Sequence, residues 1–345
     1  MTESVLIRTN GALGDVIMTT PIVARLRHQL GPDAIININT FSADVFARNP
    51  HVSGVNVPEP QGGYHRTISL ELAYERRPHI HAVDAYMLEV FSDTNWPDKQ
   101  VVLHKSRIDR LAHLPWDRAV ALHAGVNTAS RTFPITFWNG VVDGLLHAGF
   151  VPIVVGSKRD RKWPDKPGVV DLSDLLSIHE VAGVIDRCRC FITGDTGVCH
   201  IAGSTLTPII AIYTMAKAAL RMPWRKGIMG WGVIPFEPDL DCVGCFKSMW
   251  NLLNCQRGDF ACVNQNMVAP EQILGAVFSV AGAVHPSAPD TAWRVSHQTV
   301  MQSPDAWRIP TSCRIDQIGP DAAEDLAVDD AVGDLVVGEL DARDQ

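Results

Sequence analysis

The stretch Val5-Leu6-Ile7-Arg8-Thr9-Asn10-Gly11-Ala12-Leu13-Gly14-Asp15 decides how the chain is read. Three aliphatic residues in a row make a short buried strand, two glycines open a turn, and an apolar pattern of helical period runs from Asp15 to Leu30. A second strand follows at Ala34 to Ile38. Strand, helix and strand at this spacing predict a parallel sheet covered by helices. Glycines at the junction let backbone come close to a ligand, and the helix N-terminus behind them favours an anionic group. Asp15 then has two readings, a helix N-cap or a carboxylate aimed into a cleft. The turn lacks the G-x-G-x-x-G spacing, which disfavours a nucleotide-sugar epimerase or another dinucleotide-dependent enzyme.

Outward from this unit the pattern continues. A third strand is expected near Gly54 to Val57 and a helix at His81 to Phe91. The alternation starts afresh after Pro115 and Trp116, with strands at Ala119 to Leu122, Pro152 to Val155, Cys190 to Thr193 and Pro208 to Tyr213. Helices are expected at Phe137 to Ala148, Ile178 to Asp186, Thr196 to Ser204 and Pro270 to Ala281. The expectation is an α/β protein of two Rossmann-like, doubly wound domains, residues 1–115 and 116–283, facing a cleft at the carboxyl ends of their strands. Residues 284–345 are rich in Pro, Ser, Asp and Ala without periodicity and are expected to be a disordered acidic tail.

Composition narrows the function. The 345 residues are 46% hydrophobic and 20% charged, and no apolar run approaches the ~18 residues of a membrane span. The N-terminus lacks the basic and apolar regions of a secretory signal, so a cytoplasmic protein is expected. The tail holds 12 acidic and 4 basic residues and so carries the whole net charge of −8. What precedes it is neutral, which gives no support to a nucleic-acid partner.

Two further turns resemble the first in kind. Thr193-Gly194-Asp195-Thr196-Gly197-Val198-Cys199-His200 again joins a strand end to a helix. Asp195 or Thr196 can cap that helix, and Gly197 keeps its start open to a diphosphate, with His200 one turn further on the same side. In Ala124 to Pro134, after the first strand of the second half, Arg131 can reach phosphate oxygens bidentately. Cys242, Cys245, Cys255 and Cys262 form a C-x2-C-x9-C-x6-C series that suits either a structural zinc or reduced thiols packed in a loop. Cys188, Cys190 and Cys199 flank a buried strand as small core residues. Asp239-Leu240-Asp241 has the D-x-D form that can hold a metal ion, here in a Pro-rich connection.

Together the three turns resemble glycosyltransferase family 9, the heptosyltransferase-like enzymes of GT-B fold. Gly11 to Asp15 with Val16-Ile17-Met18-Thr19-Thr20-Pro21 is similar to that family's N-terminal signature, and Phe191 to Ala202 to its nucleotide-sugar signature. His81-Ala82-Val83-Asp84 and the Asn127 to Trp138 loop are similar in placement. The resemblance implies inverting transfer of a heptose or related sugar from a nucleoside diphosphate donor to a saccharide or glycolipid acceptor, with no cofactor and no required metal. Lipopolysaccharide or another surface glycan is the implied product, made in the cytoplasm or in peripheral contact with the inner membrane. The family's general base maps to Asp15, its cleft loop to Gly11 and Gly14, and its diphosphate site to Asp195, Thr196, Gly197 and His200. A basic donor-binding residue, commonly Lys, maps to Arg131. Thr214-Met215-Ala216-Lys217 departs from the Gly-Pro-Thr-Asp-Pro-like sequence of many relatives and adds Lys217 on the donor side. The competing reading is a sugar-nucleotide-binding module without turnover, which would have no need of Asp15.

Overall fold

The computed structural model describes residues 2–125, 128–157, 166–245, 254–264 and 268–282. The acidic tail expected from residue 284, and Asn127 of the Arg131 loop, lie outside the described residues.

The first sheet is built from Ser4–Arg8 (β1), Ile35–Asn39 (β2), Gly54–Val55 (β3) and Arg66–Ser69 (β4), all parallel, in the order β3-β2-β1-β4. Val5, Ile7, Ile36 and Ile38 are completely buried, as befits strands covered on both faces. β4 has no counterpart in the sequence reading. Arg-Thr-Ile-Ser offers one apolar residue, because the strand lies at the sheet edge and is mostly exposed.

The single helix expected from Asp15 to Leu30 is two, Leu13–Met18 (α1) and Thr20–Leu30 (α2). Pro21 has no N–H to give the carbonyl of Ile17 four residues back. The Thr20 hydroxyl takes that carbonyl instead at 2.8 Å, and the Thr19 hydroxyl takes that of Val16 at 2.8 Å. Ala82–Phe91 (α3) then starts from His81, whose Nδ1 accepts from the Val83 N–H.

The second sheet contains Ala119–His123 (β5), Val151–Val154 (β6), Val170–Asp171 (β7), Cys190–Gly194 (β8), Ile209–Ile212 (β9) and a later strand. Its helices include Ile135–His147 (α4), Ile178–Arg187 (α5), Gly197–Ala202 (α6) and Ala218–Arg221 (α7). A two-stranded antiparallel ribbon, Trp224–Arg225 (β10) with Ile228–Met229 (β11), leads into Val233–Phe236 (β12) at the sheet edge. β12 is also absent from the sequence reading. Pro235 within it argues against a central strand but is tolerated at an edge. Ala261–Asn264 (α8) and Pro270–Ala281 (α9) follow.

The six strands are parallel in the order β12-β9-β8-β5-β6-β7. Counted along the chain this is 3-2-1-4-5-6, the doubly wound order. Every residue of β5, β8 and β9 is buried. One face of the sheet packs on α4 and α9 through Trp138, Val141, Leu145, Ile273 and Val277. The other shares a continuous apolar core with the first sheet. The α/β class with parallel sheets is as the sequence predicts.

Candidate active site

Strand order locates the site. In each sheet the direction of winding reverses beside its first strand, between β1 and β4 and between β5 and β8, and ligands of such sheets bind in the crevice beyond those strand ends. A cleft of about 600 Å³ opens there, lined by the Thr9 to Asp15 turn, the Leu70 to Glu75 turn, and residues following β5, β8 and β9.

The glycines of the first turn act through space, not through unusual backbone angles. A Cβ on Gly11 would stand 2.8 Å from Asp15 Cβ and 3.0 Å from Oδ2. Gly11 thus leaves room for the Asp15 carboxylate. A Cβ on Gly14 would stand 3.0 Å from His200 Cδ2 and 3.3 Å from Gly197 Cα, and one on Gly197 would stand 3.2 Å from the Gly14 nitrogen. Gly14 and Gly197 therefore let the starts of α1 and α6 touch, so that residues from the two sheets meet at the cleft floor. The sequence reading gave both glycines to ligand approach; Gly14 serves the closeness of protein to protein.

Asp15 is not the N-cap of α1. That position belongs to Ala12, and Asp15, on the third helical residue, accepts from the Ala12 N–H at 3.1 Å. A helix N-terminus by itself favours an ionised carboxyl. Here burial raises that of Asp15 to about 6, with Glu75 adding to the rise and Arg221, Tyr74 and the Ala12 N–H opposing it. The carboxylate remains mostly ionised at neutral pH, yet basic enough to take a proton.

Across the cleft, Thr196 caps α6, its hydroxyl accepting from the Cys199 N–H at 3.4 Å and lying 3.2 Å from His123 Nδ1. Arg131 donates from Nη1 to the Asp195 carbonyl at 2.9 Å and from Nε to the Thr128 hydroxyl at 3.1 Å. These bonds fix its guanidinium at the cleft wall beside Thr196 and Gly197. His200 is buried, and burial together with the nearby Arg221 and Arg131 pushes its imidazole down to about 3. It is neutral at pH 7, so the fixed positive charge on this side comes from the arginines.

Among the residues singled out from sequence, the cleft brings together Gly11, Gly14, Asp15, Arg131, Asp195, Thr196, Gly197 and His200. Lys217 is not part of its lining. It borders a smaller neighbouring pocket, where its aliphatic stem covers Gly244. Asp84 is held by Lys99 at 2.6 Å, and the exposed Asp239 and Asp241 lie away from the cleft.

The four later cysteines all border one small cavity with Ser130 and Thr214. Burial and the neighbouring Cys245, Cys255 and Cys242 push Cys262 up to about 12, while Cys255 is lowered because backbone N–H groups, from Phe260 first, outweigh its burial. Among the described residues no group of three or more His, Cys, Asp or Glu is placed to hold a metal. Beside the same cavity the Thr214 hydroxyl donates to the Ser130 carbonyl at 2.6 Å, tying the turn after β9 to the segment that carries Arg131.

Sequence reasoning missed Tyr74, Glu75 and Arg221. The Tyr74 hydroxyl is a hydrogen-bond partner of Asp15, whose carboxyl it lowers, and of Glu75. The Arg221 guanidinium lies 4.3 Å above the Tyr74 ring, whose edge contact with Tyr86 spans 6.0 Å between centroids. The first two follow β4, so the missed strand hid them; Arg221 follows a loop that departs from the familiar pattern.

Known proteins bear on this arrangement. The family described as glycosyltransferase family 9 (heptosyltransferase) matches residues 73–244, about half of the chain. A glycosyl transferase family 9 structure from Veillonella parvula superposes with a TM-score of 0.62 at 16% identity, covering 81% of this chain and 97% of that one. The dodecameric iron-containing heptosyltransferase TibC of E. coli, solved in complex with ADP-D-beta-D-heptose, gives 0.61 at 13% identity, with 81% and 76% covered. E. coli ADP-heptose LPS heptosyltransferase II gives 0.54 at 14% identity, with 81% and 98% covered. No curated protein matches the chain in sequence. The structures share its GT-B arrangement of two parallel sheets, and with the family match on the segment that includes Tyr74, Arg131, the Asp195 to His200 turn and Arg221, the chain belongs to glycosyltransferase family 9.

Proposed function

We propose that the protein is an inverting, metal-independent glycosyltransferase that moves a heptose or related sugar from a nucleoside diphosphate donor to a saccharide or glycolipid acceptor in surface-glycan synthesis. The observation that carries the reading is the opposition, in one cleft, of a carboxylate raised to about 6 and an arginine held rigidly beside the first turn of α6. An acceptor hydroxyl needs a base as it attacks the anomeric carbon, and the departing diphosphate needs fixed positive charge. Asp15 supplies the first, Arg131 and Arg221 the second. Attack from the Asp15 side with departure toward Arg131 places nucleophile and leaving group on opposite faces of the sugar, which is the geometry of inversion.

The donor is then seated on residues 116–283, with Asp195, Thr196, Gly197 and His200 shaping the diphosphate site, and the acceptor on residues 1–115. An ADP-linked heptose is the first donor to test, since TibC was solved with ADP-D-beta-D-heptose. The transfer would occur at the cytoplasmic face of the inner membrane. Incubation with ADP-heptose and a glycan mixture, with the anomeric configuration of the product followed by NMR, tests it. Inverted product that disappears in Asp15→Asn supports the reading. Retention of configuration, or full activity in that variant, refutes it.

A further inference from the structure

The wall formed by the first sheet has a chemical bias of its own. Its charged residues lining the cleft are Asp15, Glu71 and Glu75, all acidic among the described residues, and the one cation set against it, Arg221 over the Tyr74 ring, comes from the other sheet. Asn10 Nδ2 donates to Glu71 Oε1 at 3.1 Å, which fixes the amide so that its oxygen faces the other way. That oxygen, Asn10 Oδ1, and Glu75 Oε2 are both buried and without a hydrogen-bond partner. Buried polar atoms are seldom left so, and each such acceptor in a binding cleft calls for a donor from the ligand. Beside them Phe41 and Leu72 line the cleft mouth while 87% and 59% exposed. Carboxylates and amide oxygens for hydroxyl protons, with apolar surface for C–H faces, suit a sugar ring. A phosphate or carboxylate brought here would meet like charge and have its oxygens opposed to oxygens.

We infer that the acceptor unit entering this cleft is an uncharged, hydroxyl-donating sugar, and that Asn10, Glu71 and Glu75 select it against sugars carrying phosphate or carboxylate. This rests on the transfer reading, because the arginines beside the Asp195 to His200 turn take the donor diphosphate and leave the opposite wall to the acceptor.

The test uses the full chain with ADP on an array of neutral oligosaccharides and the same oligosaccharides bearing a phosphate or a carboxylate. Binding to the neutral set is expected to exceed binding to the anionic set by about tenfold or more, the scale of a like-charge clash. Glu71→Lys, at an exposed position that spares the fold, should shrink or invert that ratio, and Glu75→Gln, which removes a negative charge and part of the acceptor capacity, should shrink it by weakening neutral binding and relieving the exclusion of the anionic set. Preference for the anionic set, equal binding to both, or an unchanged ratio in Glu71→Lys would each overturn the inference. Donor cleavage and the rise in melting temperature with ADP are read separately. If both are absent the transfer reading fails, while the array still decides the charge of the acceptor.

Discussion

Gly14 and His200 touch across the cleft floor, the glycine so near that a methyl group on it would stand 3.0 Å from the imidazole Cδ2. The contact joins the turn after β1 to the helix after β8, and so fixes Asp15 relative to Thr196. Gly14→Ala must push α1 and α6 apart by several tenths of an ångström. Overpacking of this kind costs ~1 to 3 kcal/mol. A small displacement between base and donor site should also lower kcat by about tenfold or more. Thermal melts and steady-state kinetics check both; normal values would mean that the floor of the cleft yields without consequence.

Asp15 links pH to rate and to stability in opposite senses. Its carboxyl titrates at about 6 when folded against 3.8 in the reference state. Between those values the folded chain keeps a proton that the unfolded chain has lost, so this group's contribution to stability falls as pH rises from about 4 to 6 and stays low above. Activity runs the other way: kcat/KM should rise through about pH 6 and level off as the base ionises. Asp15→Asn should therefore lower kcat by ~10² to 10⁴ while gaining ~1 to 3 kcal/mol of stability at pH 7. Donor affinity should hardly change. A stable Asn variant with near-normal turnover would reduce Asp15 to a partner of the Ala12 N–H.

Arg131 is held by two bonds that a lysine cannot reproduce. Arg131→Ala should weaken ADP binding by ~1.5 to 3 kcal/mol, the worth of a charge-assisted hydrogen bond. Arg131→Lys should recover only part, because it keeps charge and loses the bonds to the Asp195 carbonyl and Thr128 hydroxyl. Calorimetric titration with ADP reads both, and equal affinity for Lys and Arg would show that charge alone matters.

Legibility followed burial. Strands covered on both faces, such as β5 and β8, appear in the sequence as unbroken apolar runs, and the turns after β1 and β8 show themselves by glycines between strand and helix. Edges do not. β4 has one inward residue and β12 contains a proline, so neither is marked by periodicity, and Tyr74 and Glu75 went unseen with β4. The break at Thr19 was legible in principle, since Pro21 forbids a continuous helix, but two threonines that repair the lost bond disguise it. Lys217 was misplaced for a different reason: charge on a loop says nothing of which pocket the side chain enters.

Tyr74 offers the sharpest separation of chemistry from architecture. Its hydroxyl donates to the Asp15 carboxylate and so favours the ionised form, pulling the carboxyl down against the burial that raises it. Tyr74→Phe removes that donor while keeping the ring that meets Tyr86 edge-on and lies beneath Arg221. With the hydrogen bond gone and the burial unchanged, Asp15 should titrate higher, moving the acid limb of kcat/KM to higher pH by up to about one unit. At pH 6 the variant should then be several-fold slower than the parent. Above pH 8, where the base is ionised in both, the difference should narrow, and ADP affinity should be the same throughout. A tyrosine that only packs would behave otherwise, lowering the melting temperature and leaving the limb where it was. An unmoved limb in a folded Phe variant would therefore remove Tyr74 from the machinery that sets the base.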